Sequence, residues 1–284
     1  MSKGVILALA TLIVPFGFAA NEVSRFPAYV DSDLCARLLL GPITPERIQC
    51  SKSTFKDGSQ PVLVRLQNNM VLSVNKDKLI SPLVGQLADI SGTVKIRDGT
   101  VKLESAAPLD SASIPRGDPS RRLLDEKAYR TEHSAELFEK VRHELAMMPY
   151  VSVFDFISFT QNGADVILTG WTVRATNRDT AERVTRDVKG VESVVNNIEI
   201  LPLGSADMQI RAATRAALQR HLSRYFWGSG SDIRIVVKNG QIILLGTVAS
   251  KTDSDLAFIQ SNSVPFAFKV FNMLQVQNPD KKKK

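Results

Sequence analysis

The chain has 284 residues, 44% hydrophobic and 23% charged, which excludes disorder throughout and leaves room for two or three domains with their own cores. The formal charge of +7 suggests a polyanion-binding surface, but removing Lys3 leaves +6, and removing the terminal Lys281 to Lys284 leaves +2. The body is close to neutral, so composition gives no basic groove for nucleic acid.

Lys3 precedes an apolar run from Val5 to Phe18 that ends in Gly17-Phe18-Ala19-Ala20. This pattern marks residues 1–20 as a secretory signal peptide cleaved after Ala19 or Ala20, with an uncleaved anchor as the alternative. The mature chain is expected to be exported, periplasmic or secreted. Cys35 and Cys50 are the only cysteines. In an oxidising compartment they read as one disulfide, with two buried thiols as the alternative.

Residues 34–109 hold short strand-like runs at Pro61 to Leu66, Val71 to Val74, Leu87 to Ile96 and Val101 to Leu103, after a turn or two of helix at Asp33 to Leu40. Asp98-Gly99 and Asn68-Asn69 are turn signals. So many short strands in so small a unit predict a barrel like the oligonucleotide/oligosaccharide-binding type. Phe55 is the sole aromatic residue in this span, which leaves little for base stacking. Residues 110–130, with Pro115, Gly117 and Pro119, read as a linker.

Residues 131–203 begin with a helix from about Thr131 to Met148, capped by Thr131 or Ser134, with Leu137, Phe138, Val141 and Leu145 on one stripe. Strands at Val153 to Phe159 and Asp165 to Val173 flank Asn162-Gly163. A helix from Thr176 to Lys189 stops at Gly190, expected as its left-handed cap, and a strand at Val194 to Leu201 follows. Residues 204–278 repeat that order. Ser205 caps a helix at Asp207 to Phe226, strands Ile233 to Val237 and Gln241 to Val248 flank Asn239-Gly240, and a helix at Ser254 to Asn262 precedes a strand at Ala267 to Gln277. Residues 279–284 form a basic tail.

The two units correspond at an offset of 76: Gly170 falls on Gly246, Val194-Val195-Asn196 on Val270-Phe271-Asn272, and Ile198 on Leu274. Each therefore has the order α-β-β-α-β, with two helices packed on a three-stranded sheet, an α+β architecture. The frame NG-x-(apolar)-L-x-G-x-V followed by Gly190-Val191, Val194 and Asn196 resembles the BON domain, named for bacterial osmotic-shock and nodulation proteins. The second copy departs from it, with Pro265-Phe266-Ala267 where the first has the Gly-Val pair. Asn162, Gly163, Gly170, Gly190, Asn239, Gly240 and Gly246 have structural explanations in turns and close packing.

The resemblance implies a non-enzymatic exported protein that binds anionic phospholipid or the envelope surface and supports envelope integrity or osmotic stress tolerance. An adaptor or chaperone-like factor binding other envelope proteins is the alternative. No nucleophile with a neighbouring base, phosphate loop or metal-ligand cluster stands out, and His133, His143 and His221 are scattered, so no catalytic residue, cofactor or metal is expected, nor a nucleic-acid partner. The place suited to lipid is the helix holding Arg211, Arg215, Arg220 and Arg224, which finishes in Tyr225-Phe226-Trp227, with Trp171 as a second exposed ring.

Overall fold

The computed structural model describes residues 22–96, 98–125, 129, 135–227 and 232–277. The predicted signal peptide, the basic tail, the predicted caps Thr131 and Ser134, and His133 lie outside them. Five strands close a barrel: β1 (Glu22–Ser32), β2 (Pro61–Arg65), β3 (Met70–Val74), β4 (Leu87–Lys95) and β5 (Thr100–Pro108), in the order β1-β2-β3-β5-β4 with β4 returning to β1. Only β3 and β5 run parallel. Alternation fills the interior: Ala88, Ile90 and Val94 of β4 meet Phe26, Ala28 and Val30 of β1. The register shifts at Ser91/Gly92, where a Cβ on Gly92 would stand 2.6 Å from the Lys102 carbonyl oxygen, so glycine is what lets β4 bend at the bulge.

The barrel starts at Glu22, ahead of the expected residue 34, because β1 carries Phe26, Ala28 and Val30 inward despite Pro27 and three charges. Helices α1 (Asp33–Leu38) and α2 (Pro45–Lys56) connect β1 to β2, and a short α3 (Asp77–Ile80) lies between β3 and β4. The polar surface of α2 hides its helical period. Its start is nonetheless well marked, with Thr44 accepting from the Arg47 amide and Pro45 in the first turn. Cys35 of α1 is bonded to Cys50 of α2, with Cα atoms 6.0 Å apart. The segment expected as a linker is packed: Ile114, Leu123 and Tyr129 join Tyr29, Val62, Val64 and Leu66 on the barrel's outer face.

The first repeat comprises α4 (Ala135–Ala146), β6 (Phe156–Asn162), β7 (Asp165–Thr172), α5 (Ala175–Arg186) and β8 (Ser193–Ile200). The second comprises α6 (Ser205–Leu222), β9 (Ile233–Lys238), β10 (Gln241–Val248), α7 (Lys251–Asn262), β11 (Lys269–Asn272) and β12 (Gln275–Val276). In each, the hairpin is antiparallel and the last strand pairs parallel with the hairpin's second strand. Both helices pack on one face, over Val166, Leu168 and Ile198 in the first copy and over Ile235, Val237, Ile242 and Leu244 in the second.

Several boundaries differ from expectation for local reasons. β6 begins only at Phe156 because the Val153 carbonyl accepts from Ile235 N at 2.8 Å and is drawn onto the second repeat. Gly204, not Ser205, is the N-cap of α6. Gly190 has φ +105 but lies beyond the Asp187 cap of α5, in the turn to β8.

The remaining face of each sheet is apolar too, and both are used in assembly. Trp171 and Leu201 of the first repeat, Val236, Ile243, Leu245 and Phe271 of the second, and Leu34 of α1 form one buried cluster. Trp171, expected as an exposed ring, is fully buried there. Burial of both sheet faces against α1 makes the barrel and the two repeats one packed body.

Candidate functional site

The glycines and asparagines of the repeated frame account for its geometry. At Gly170 (φ +119) a Cβ would stand 2.0 Å from the Phe156 carbonyl oxygen, and at Gly246 (φ +106) one would stand 1.9 Å from that of Asp232. Phe156 and Asp232 are themselves 76 apart in sequence, so the same close approach occurs twice. The two Asn-Gly pairs are not equivalent. Asn239 and Gly240 are the two turn residues of the second hairpin, both at positive φ. In the first hairpin Asn162 pairs with Asp165 inside the strands, and Gly163-Ala164 make the turn. Positive φ at both central residues suits a type I′ turn, and at Gly163 alone a type II′ turn.

Asn196 and Asn272 also act as a matched pair. Each side-chain amide donates to a helix carbonyl, Arg178 O at 3.2 Å and Ser254 O at 3.0 Å. Each accepts from the amide two residues on, Ile198 at 3.1 Å and Leu274 at 3.3 Å. These asparagines clasp the helix to the last strand in both copies.

Helix α6 carries the predicted lipid-facing residues. Ile210, Ala217, Leu218 and Leu222 enter the core of the second repeat at helical spacing. Arg211 turns inward with them, donating to the carbonyls of Pro202 at 3.0 Å and Val237 at 2.8 Å, and burial lowers its pKa from the usual guanidinium value. It is a bracket inside the fold and is removed from the lipid-facing set. Tyr225 is also buried: its hydroxyl donates to Asp253 at 2.8 Å and accepts from the Ala249 amide at 2.8 Å. Phe226 packs against the same core. Arg224 is exposed but paired with Asp253.

The outward residues are Arg215, Arg220 and Trp227, the last 75% exposed at the helix's far end. Among the described residues Arg215 and Arg220 make no ion pair. From Met208 to Trp227 there is no Asp or Glu. Arg215 and Arg220, five residues and so about 140° apart around the axis, flank the outer side of α6, and an indole stands at its end. Asp207, at the other end of the helix, accepts from the amides of Asn239 at 2.9 Å and Gly240 at 2.8 Å, and so fixes α6 to the second hairpin turn. Its role was not legible in the sequence, since turn and helix lie about 30 residues apart.

A groove of about 760 Å³ between the repeats is lined by Phe138, Tyr150, Phe159, Asp155 and Arg234 among others. Asp155 accepts there from Ser152, Thr172 and Val173, so its carboxylate organises a turn. Among the described residues no group of three or more His, Cys, Asp or Glu is placed to hold a metal ion, and no helix is long and apolar enough to cross a membrane.

Residues 133–202 and 206–278 each match the BON domain, together half of the chain. The chain belongs to the BON-domain family. The two BON domains coincide with the two α-β-β-α-β units, and the matched Gly170/Gly246 and Asn196/Asn272 geometry shows what the shared frame does physically. No curated protein matches the chain. Among solved structures, two of CdsD, described as a structural protein of the type III secretion system of Chlamydia trachomatis, are similar at 10% identity. One covers 52% of this chain and 95% of its own with a TM-score of 0.22, and the other, a C-terminal domain, covers 51% and 100% with a TM-score of 0.21. Scores that low carry no inference about shared architecture or role.

Proposed function

We propose that this is a non-enzymatic, exported envelope protein whose second BON domain binds anionic phospholipid through the outer face of α6, in support of envelope integrity or osmotic stress tolerance. BON domains are associated with envelope and osmotic-stress proteins, which agrees with this reading. The observation that carries it is a helix with no Asp or Glu from Met208 to Trp227, with Arg215 and Arg220 directed to solvent and Trp227 standing clear at its end. Arginine stems lie along apolar surface while their heads reach phosphates, and indole rings settle at headgroup depth. Each cation near an anionic surface contributes about 1 kcal/mol, so two are worth a factor of roughly thirty in partitioning. The barrel serves as the scaffold on which both repeats are mounted, and nucleic acid is not its ligand.

Co-sedimentation with vesicles containing phosphatidylglycerol, against pure phosphatidylcholine, tests this. Binding is expected only to the anionic vesicles, weakening with salt, and lost in Arg215→Glu/Arg220→Glu. Trp227→Ala lowers it further. Tyr225 is left intact, because its loss would take a donor from buried Asp253 and the acceptor from the Ala249 amide inside the fold. Equal binding to both vesicle types would remove the assignment.

A second reading has its own observation. Among the described strands β6 pairs only with β7, and its other edge, in the sequence FISFTQN, carries no charge. Such an edge accepts an extended segment, which favours an adaptor for other envelope proteins. Salt-insensitive capture of one defined protein, with no vesicle binding, would select this reading.

A further inference from the structure

The two BON domains share a backbone at the corner between their second helix and last strand but present opposite chemistry there. Glu192 N bonds to Ala164 O at 3.0 Å, and Phe268 N, 76 residues on, bonds to Gly240 O at 2.8 Å. Val191 N bonds to Val188 O at 3.1 Å, and Ala267 N to Val264 O at 3.4 Å. The corner is built alike in both copies.

Its side chains are exchanged. In the first copy the inward position is Val191, packed on the core, and the flanking positions are Gly190 and Glu192. In the second the inward position shrinks to Ala267, while the flanking positions become Phe266 and Phe268, 76% and 83% exposed. Apolar bulk has left the side that faces the core and appeared on the side that faces solvent. Core packing would select the reverse.

Phe266 also occupies a conformation that folding does not favour for it. Its φ is +65, where Gly190 of the first copy has +105. Glycine takes that region freely, whereas a Cβ there crowds the backbone. Strain held at an exposed ring is a mark of use in binding. Phe268 is held firmly: a Cβ on Gly240 would stand 2.4 Å from its Cδ2, so the ring lies on the hairpin turn that Asp207 clamps.

Location selects the occupant. Because Asp207 begins α6 beside that turn, the corner sits at the start of α6 and Trp227 at its end, with Arg215 and Arg220 between. From Leu256 to Gln277 there is no carboxylate, and the nearest cation, Lys269, is paired with Asp57. Two rings flanking an inward alanine form a projecting tip with no carboxylate in its own segment, at the start of a helix whose charged residues from Met208 to Trp227 are all cations.

We propose that Pro265–Phe268 is an apolar anchor that enters the headgroup–hydrocarbon boundary of an anionic bilayer when the α6 arginines dock, a device of the second BON domain alone. This rests on the lipid reading of α6 and assigns the salt-resistant share of binding to a separate element. The test compares the purified protein with Phe266→Gly/Phe268→Glu, which installs the first copy's residues, and with Phe266→Gly alone, on 3:1 phosphatidylcholine–phosphatidylglycerol vesicles at low and high salt. Burial of a phenylalanine ring is worth about tenfold in partitioning or more. The double variant is expected to bind at least about tenfold more weakly, to lose what survives high salt, and to unfold at the same denaturant concentration or a higher one. Phe266→Gly, which relieves the left-handed strain, gives the smaller loss with a fold no less stable. If both variants bind like the wild type while Arg215→Glu/Arg220→Glu does not, the anchor is wrong and the arginine reading stands. If the wild type binds no vesicle, both readings fall. Loss of a concentration-dependent dimer in the variants, with vesicle binding intact, would show that the rings cover a second copy and would also overturn the anchor.

Discussion

Asp33 of the barrel helix α1 and Lys238 of β9 stand 2.8 Å apart, carboxylate to ammonium, across 205 residues of chain. Arg37 bonds the other Asp33 oxygen at 2.8 Å and reaches Glu199 of β8 at 3.1 Å, while Lys238 also meets Glu199 at 2.8 Å. One network thus joins the barrel and both BON domains. Burial alone would raise the Asp33 pKa, but Arg37 and Lys238 outweigh it and bring it down to about 2.

The pH dependence follows in sign. Asp33 titrates near 3.8 when unfolded and near 2 when folded, so its contribution is complete above pH 4 and is lost as pH falls toward 2. That interval is worth about 2 kcal/mol. Asp33→Asn should lower the unfolding free energy by about 3 kcal/mol at neutral pH, because it leaves Arg37 and Lys238 buried with one carboxylate fewer. It should also flatten the acid limb. Urea denaturation at a series of pH values measures both, and an unchanged acid limb would show that Asp33 does not govern it.

The paired asparagines predict matched costs with one asymmetry. Asn196→Ala and Asn272→Ala should each lose about 1–3 kcal/mol, since each removes the side-chain tie to the helix and the acceptor of the amide two residues on. The aspartate variants should differ. Asn196 also donates to the Glu182 carboxylate at 3.1 Å, whereas Asn272 donates to the Ser254 hydroxyl at 3.0 Å. Asn196→Asp therefore sets two carboxylates together and should cost more than Asn272→Asp, a ranking that denaturant titration reads directly.

What the chain discloses before folding follows from which interactions are local. The turn at Asn239-Gly240 and the helix stripes obey short-range rules, and Gly170 and Gly246 are legible because the same position recurs in both copies. Arg211 reads as solvent-facing because charge normally stays outside. Its partners, the carbonyls of Pro202 and Val237, come from outside its helix and from a strand 26 residues on. Trp171 reads as exposed for the same reason: the surfaces that cover it belong to α1 and the other BON domain. Strand β1 was hidden by Pro27 and its charges, although its inward positions alternate. Phe266 becomes conspicuous only when its φ is set beside that of Gly190.

The close approaches at Gly170 and Gly246 predict a graded glycine series. Alanine at either puts a methyl group within about 2 Å of a carbonyl oxygen, at positive φ, and the obstacle is backbone that the hairpin cannot move. Gly170→Ala and Gly246→Ala should each cost about 3 kcal/mol or more, or prevent soluble expression. Gly190→Ala shares the positive φ, but its nearest neighbour is Leu137 Cδ1 at 3.5 Å, an ordinary contact. It should cost only about 1–2 kcal/mol. Similar melting shifts for all three would contradict the steric account.

The Cys35–Cys50 disulfide predicts something about cooperativity as well as stability. It ties α1 to α2 across a separation of 15 residues, worth about 3 kcal/mol on the chain-entropy estimate. Yet α1 also supplies Leu34 to the cluster between the sheets, and Asp33 and Arg37 to the ion network. Loosening α1 should therefore weaken the repeats along with the barrel. Cys35→Ala/Cys50→Ala should lower the stability by about that amount while keeping a single unfolding transition, seen alike by far-ultraviolet circular dichroism and by the fluorescence of buried Trp171. Two separated transitions, with Trp171 reporting only the later one, would mean that the BON domains hold together without α1.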